Sequence, residues 1–450
     1  MSASPGASRS LRQRALDLLA NRSEFTRNLA KLSSGTILRT VIAFGTMPIA
    51  TRLYAPEDFG NLQLLLSIVT TFTAVAALRY EVTIVLPQDR QESQNLAVLS
   101  LYVVALLAVL LSVFCWFWGP WLLAQFDAGR LEPYLGLIVV GFVAGGVLRV
   151  SHHNLIATKQ FGSLARNTVA QVSVTQGGYI GLGLWKPSFL GLFGSQMLGY
   201  AVGIAASLRR APIRSRGVRL RTLAALARRY RKFPLVNSPG VFVNSLAYEM
   251  PVFLLARFFD AEIVGFYMLT DRLLNQPAAM IGQALAKVYL QAAAAARNEG
   301  GGRLRSLFRR TAGRLLLVSA PFMLVVIAAA PFATHLFLGE GYREVGVMMR
   351  ILVVGSFLRF VSSPLIATFT VVNRQEVGMT LMVLSGVASF AVMLVFSEDA
   401  HDMLWALAGV QAAFSLIFLA AIDRVLARVD RHRAEGPRPP AAADPADDIR

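Results

Sequence analysis

Apolar residues in this chain come in long runs, and polar residues gather in short gaps between them. A helix needs about 20 apolar residues to cross a hydrocarbon core of about 30 Å. Windows of that kind can be placed twelve times. They lie near Leu32–Tyr54, Asn61–Arg79, Asn95–Trp118, Glu132–Ala157, Ser163–Leu184 and Pro187–Leu208. After a basic interruption they resume near Leu235–Phe259, Val264–Gln291, Ala312–Leu338, Val345–Val372, Gly378–Phe396 and Asp402–Ala421. The pattern predicts an all-α membrane protein of about twelve transmembrane helices.

Composition strengthens this reading. Of 450 residues, 55% are hydrophobic and 16% charged, where a soluble domain carries about 25% charge. The single cysteine, Cys115, excludes disulfide scaffolds and thiolate metal sites. A net charge of +18 would suggest nucleic acid in a soluble protein. Here the Lys and Arg residues fall in alternate gaps, as retention of basic loops on the cytoplasmic side requires. The segment Leu208–Phe233 alone holds ten bases and no acid, while Glu57, Asp58, Asp260, Glu262, Glu398 and Asp399 cluster in the opposite gaps. An even number of spans then places both termini in the cytoplasm, with no nucleic-acid partner. Arg39 within the first span argues against a cleaved signal peptide.

The expected organisation is a cytoplasmic segment 1–28, a six-helix bundle 29–207, a basic linker 208–233, a second six-helix bundle 234–427 and a disordered tail 428–450. In the linker, Leu220, Leu223, Ala224, Ala227 and Tyr230 can form an apolar face ringed by arginines. This predicts either a helix lying on anionic membrane lipids at 208–233 or a solvated loop. A shift of 205 residues superposes Arg52, Glu57, Gly60 and Leu64 on Arg257, Glu262, Gly265 and Leu269, at equivalent hairpins of the two halves. With six spans per half, both would enter the membrane in one orientation, a parallel repeat of the transporter kind.

Polar residues inside spans mark functional faces, because an arginine at mid-span costs about 2.5–3.5 kcal/mol on insertion scales. Thr36, Arg39 and Thr46 share one stripe, as do Arg149, His152 and His153; Asn167, Gln171 and Thr175; and Ser238, Ser245 and Glu249. The eighth span aligns Arg272, Gln276, Gln283 and Lys287, and the tenth aligns Arg359, Ser363 and Thr370. Arg39, Glu249, Arg272 and Arg359 are placed deep enough to line a cavity, whereas Arg79, Arg149 and Lys287 lie near span ends where snorkelling is the competing account. Pro48, Pro251, Pro277 and Pro364 predict kinks. No GK[ST] phosphate loop, serine–histidine–acid pattern or long external loop appears, so an enzyme reading has little support and no cofactor is implied.

The segments Ile49–Leu64 (IATRLYAPEDFGNLQL), Leu78–Pro87 (LRYEVTIVLP), Lys159–Ala165 (KQFGSLA), Lys232–Leu235 with Leu246–Pro251 (KFPL, LAYEMP) and Asp271–Gln283 (DRLLNQPAAMIGQ) resemble bacterial polysaccharide-biosynthesis flippases. These form the O-antigen and exopolysaccharide branch of the multidrug/oligosaccharidyl-lipid/polysaccharide exporter superfamily. The resemblance implies two six-helix bundles around a central cavity. It also implies flipping of undecaprenyl-diphosphate-linked oligosaccharide to the outer leaflet of the bacterial inner membrane by alternating access, with polysaccharide polymerase machinery as a further partner. Carried residue by residue, it assigns a positive cavity to Arg79, Glu81 and Arg272. Asp271 departs from relatives with an uncharged residue there, leaving open whether it pairs with a base or titrates, as Glu81 and Glu249 also could. The competing readings are a cation-coupled drug exporter, which should place acids in its cavity, and a membrane glycosyltransferase or polymerase, which should carry a long external loop.

Overall fold

The computed structural model describes residues 34–125, 129–214, 218–299 and 302–435. The predicted segment 1–28 and residues 436–450 of the predicted tail lie outside them. In chain order the helices are α1, described over 34–53, then α2 (Pro56–Thr73), α3 (Tyr80–Thr83), α4 (Arg90–Ala124), α5 (Leu135–Ala157), α6 (Phe161–Trp185) and α7 (Phe189–Arg210). The linker helix α8 (Leu220–Arg229) leads to α9 (Ser238–Phe258), α10 (Ala261–Glu299), α11 (Arg303–Leu338), α12 (Arg343–Leu365), α13 (Ala367–Val371), α14 (Gln375–Val395) and α15 (Ala400–Glu435). Residues 428–435, expected to begin a disordered tail, instead continue α15.

Among the described residues each apolar window overlaps a helix, although the second, Asn61–Arg79, leaves α2 at Thr73; eight described segments are long and apolar enough to cross a membrane. The remaining windows fall on α1, α2, α6 and α10, helices whose Arg39, Ser67, Gln171 and Arg272 dilute their apolar character. The chain is a multi-pass membrane protein. Trp116 and Trp185 are 82% and 85% exposed, which lipid accommodates and water would penalise.

The chain forms two compact units. Unit 1 holds residues to Met268 with His335–Tyr342, and unit 2 holds Leu269–Thr334 with Arg343 onward. In unit 1, α6 packs on α7, α4 on α5, and α2 on both α5 and α9. Two glycines that the 205-residue shift superposes, Gly60 and Gly265, meet in a reciprocal contact. A Cβ on Gly60 would overlap the Ala261 carbonyl, and one on Gly265 would overlap the Pro56 carbonyl. Only glycine lets the first turns of α2 and α10 meet backbone to backbone at positions 205 residues apart. Around this crossing Tyr54, Phe59, Tyr342 and Phe266 pack edge to face, and the Tyr342 hydroxyl donates to the Tyr54 carbonyl at 2.6 Å. Arg52 donates to the Leu336 and Phe337 carbonyls at the C-terminus of α11, satisfying groups that the helix leaves open.

Unit 2 is built on α15 packed against α12 and α14. Its core includes Tyr289, Phe308, Phe369, Phe418 and Ile422. Each unit also contains the same helix stop. After α5, Lys159 has φ +56°, with Gln160 N–H donating to the Leu155 carbonyl and Lys159 N–H to the Ile156 carbonyl, both at 2.9 Å. After α13, Asn373 has φ +55°, with Arg374 N–H bonded to Phe369 and Asn373 N–H to Thr370. These are the paired bonds of a left-handed cap, so the KQFGSLA motif contains a turn that ends one helix and starts the next.

Of the two expectations for the linker the structure has the helix, and protein covers part of its apolar face. Leu223 and Leu226 are buried, the Tyr80 hydroxyl donates to the Ala227 carbonyl at 3.1 Å, and Arg229 and Tyr230 both bond Glu92 of α4 at 2.9 and 3.2 Å. Burial there pushes the Tyr230 phenol above its ordinary value, and neighbouring Glu92 adds to the shift. A protein surface of matching shape lay within reach, so the apolar stripe docked on it.

Candidate functional site

The LRYE motif sits on a break in the backbone. The chain leaves α2 at Thr73 and passes through successive turns closed by Val75 N–H to Phe72 O, Ala76 N–H to Thr73 O and Leu78 N–H to Val75 O. It re-enters a helix at Tyr80. Leu78 and Arg79 are both left-handed, at φ +48° and +65°. Neither is glycine, and such conformations cost of order 1–3 kcal/mol each. The window Asn61–Arg79 was read as one continuous span; nothing in VAALRY, which lacks glycine and proline, signals the break. Interrupted helices at membrane depth persist only where protein or a wet cavity satisfies the freed backbone.

The break points the motif inward. Glu81 is 1% exposed, and its Oε1 lies 3.5 Å from Arg79 Nη1. Arg149 on α5 interacts electrostatically with both Glu81 and Arg79. Glu81 Oε2, Arg79 Nε and His152 Nε2 are buried with no hydrogen-bond partner among the described residues. An unpaired buried polar atom costs about 1–3 kcal/mol, and two on the Arg79–Glu81 pair, with a third on α5 three residues from Arg149, mark a site built for something other than stability. His153 is occupied, its Nδ1 facing the Arg149 carbonyl at 3.0 Å.

A second buried carboxylate lies in the same unit. Glu249 of α9 accepts from Ser67 Oγ of α2 at 2.6 Å, and Gln63 donates to Ser67 at 3.1 Å. In unit 2, Asp271 accepts from Asn275 at 2.8 Å and lies within electrostatic reach of Arg359 and of its neighbour Arg272. Asp271, Arg272 and Arg359 therefore share one neighbourhood, on α10 and α12. Arg272 is half-buried, while Arg359, Lys287 and Arg39 are exposed.

One cluster was not anticipated. Asp423 of α15 takes two forked arginines at once: Arg305 through Nε and Nη2 at 3.0 and 2.7 Å, and Arg309 through the same atoms at 2.8 and 2.9 Å. The sequence signal was a lone acid beside Arg424 and Arg428, just past the last apolar window. Bidentate charged pairs fix geometry as well as adding energy. Asp423→Asn should lower the stability of the purified protein by about 1–3 kcal/mol, the range for hydrogen bonds to charged groups; an unchanged thermal transition would show the fork to be incidental.

The profile of the family described as polysaccharide biosynthesis protein matches residues 49–347. No curated protein matches the chain in sequence. Among solved structures the fold resembles the lipid II flippase MurJ in its inward closed conformation, at TM-score 0.67 and 10% identity over 91% of this chain and 93% of that one. It also resembles an inward-facing multidrug resistance MATE family transporter of the MOP superfamily, at 0.56 and 14% over 89% and 96%. A Vibrio cholerae MATE transporter, VcmN, aligns at 0.56 and 12% over 90% and 98%. At these identities the structures establish a shared fold, and the profile, covering most of the chain together with the break at Arg79, establishes the rest: this chain belongs to the polysaccharide biosynthesis protein family.

Proposed function

We propose that the protein flips undecaprenyl-diphosphate-linked oligosaccharide from the inner to the outer leaflet of the cytoplasmic membrane by alternating access, for O-antigen or exopolysaccharide synthesis. The observation that carries the reading is the buried cluster of Arg79, Glu81 and Arg149 with three unpartnered polar atoms inside an apolar unit. A diphosphate cannot enter hydrocarbon unless its hydration is replaced, and guanidinium forks replace it well. The Glu81 carboxylate keeps the two arginines from facing each other uncompensated when no substrate is present. The isoprenoid tail needs no binding site, because it remains in lipid. Family membership supports the sugar-polymer pathway, and a fold shared with a lipid II flippase supports a lipid-linked substrate. Under the orientation read from charge, both termini face the cytoplasm and the Arg79 turn lies toward the cytoplasmic leaflet.

The second reading is a cation-coupled multidrug exporter. It is favoured by the buried Glu249 and its Ser67 partner, since a membrane carboxylate is the natural holder of a cation or proton. Proteoliposomes containing a fluorescent undecaprenyl-diphosphate glycan separate the two. Wild type should bring the label within reach of an external quencher, Arg149→Gln should abolish this, and Arg149→Lys should keep a fraction, because a point charge retains attraction but loses the fork. Drug efflux without glycan movement would overturn the flippase reading.

A further inference from the structure

Apart from Arg229, which pairs with Glu92, the bases of α8 and its C-terminal flank, Arg221, Arg228, Arg231 and Lys232, are exposed. Its apolar side is already used: Leu223 and Leu226 are buried, and Tyr80 and Glu92 hold its backbone and its end. On the opposite side Arg221, Arg228, Arg229, Arg231 and Lys232 line a shallow cup of about 810 Å³ with two alanines and no acid. Of these five cations only Arg229 pairs with a carboxylate, Glu92, among the described residues. Immediately after Lys232, the chain turns through a π-helical segment at Phe233–Asn237, where Leu235 and Val236 are 70% and 74% exposed. Apolar side chains so exposed at the start of a membrane helix face lipid, so the cup lies within a turn of the hydrocarbon boundary. That is the height of phospholipid phosphates.

We infer that the outward face of α8 is a docking site for anionic phospholipid headgroups, with the helix held in place by the protein contacts of Leu223, Leu226 and Arg229. Uncompensated positive charge, a concave face without acid and the adjacent lipid-facing residues together select a phosphate-bearing headgroup of the bilayer. A soluble anionic partner would not require that height. The docking contacts give the site a consequence: the Tyr80 hydroxyl that holds α8 belongs to the LRYE turn, so headgroups that hold α8 also steady the residue between Arg79 and Glu81. This last step rests on the proposed role of that turn; the lipid site itself does not.

The full-length protein in detergent, titrated with phosphatidylglycerol or phosphatidylcholine and followed by native mass spectrometry, tests the site. Phosphatidylglycerol should bind at least tenfold more tightly than phosphatidylcholine, and more weakly as salt rises. Arg221→Gln/Arg228→Gln/Arg231→Gln should lose most of that preference, while the matching triple lysine variant should keep it. Arg229 is left intact because it fastens the helix. If the triple glutamine variant does not fold, Lys232→Gln and the salt dependence of the wild type carry the test, each expected to weaken phosphatidylglycerol alone. Equal binding of the two lipids, or an unchanged preference in the charge variants, would overturn the proposal. So would displacement of phosphatidylglycerol by millimolar inorganic pyrophosphate, which would identify a free-phosphate site instead. Loss of lipid preference with intact glycan flipping would remove only the coupling to the LRYE turn, and loss of flipping with intact lipid binding would concern the transport reading alone.

Discussion

Arg79→Ala should deplete folded protein in the membrane, and adding Glu81→Gln should bring the protein back without restoring surface polysaccharide. Arg79 is 20% exposed and Glu81 1%, so removing the arginine leaves a carboxylate buried beside only Arg149. Stranding one member of a buried pair costs about 3–5 kcal/mol. The 3.5 Å separation is long for a hydrogen bond, which places the cost toward the lower figure. That is still a large share of the 5–15 kcal/mol that typically holds a domain together. Neutralising Glu81 in the same molecule removes the stranded charge, and the double variant should recover abundance and its thermal transition. What it cannot recover is the guanidinium fork proposed to meet a diphosphate. A double variant with normal polysaccharide would show that Arg79 serves only as the partner of Glu81, and a single variant with wild-type abundance would show that the pair contributes nothing to folding.

Gly60→Ala and Gly265→Ala should each lower the melting temperature more than other single-methyl additions in the chain. At both positions the new Cβ would overlap a backbone carbonyl, of Ala261 and Pro56 respectively, so no rotamer change relieves it. Overpacking typically costs about 1–3 kcal/mol, and more where neither side can move. The double variant should cost less than the sum, because the separation that admits one methyl largely admits the other. Gly409→Ala is the control: nothing lies within 4 Å of its Cβ, and in a helix interior alanine should gain up to about 1 kcal/mol. Differential scanning of the purified proteins decides, and equal shifts at Gly60 and Gly409 would remove the crossing from the list of what holds unit 1 together.

The positions legible in advance were those whose physics is local. Gly60 and Gly265 were visible as a repeat at a fixed offset, and the structure gives the reason they recur: each is the surface on which the other's helix rests. The stripe of Arg272 and Lys287 was legible too, but periodicity along one helix does not say which residues a neighbouring helix approaches. Arg272 lies near Asp271 and Arg359, while Lys287 is exposed. The apolar face of the linker was legible as a face, but an amphipathic pattern does not say which of its residues a protein groove covers: Leu223 and Leu226 are buried, while Leu220 is 79% exposed.

The sequence by itself determined that the chain is helical and lies in the membrane, because both properties follow from the length, period and charge of contiguous segments. Its motifs also placed it in its family. The tertiary structure decided the break at Leu78 and Arg79, the orphaned atoms of Glu81 and His152, the Ser67–Glu249 bond and the double fork on Asp423. The Ser67–Glu249 bond and the Asp423 fork join residues from different helices, far apart in sequence. Ser67 and Glu249 are 182 positions apart, and Asp423 and Arg305 are 118 apart. The break joins no distant residues, yet its left-handed backbone is strained, and α3, which follows it, packs on α4 and α5 and bonds α8 through Tyr80. No segment read alone carries that support.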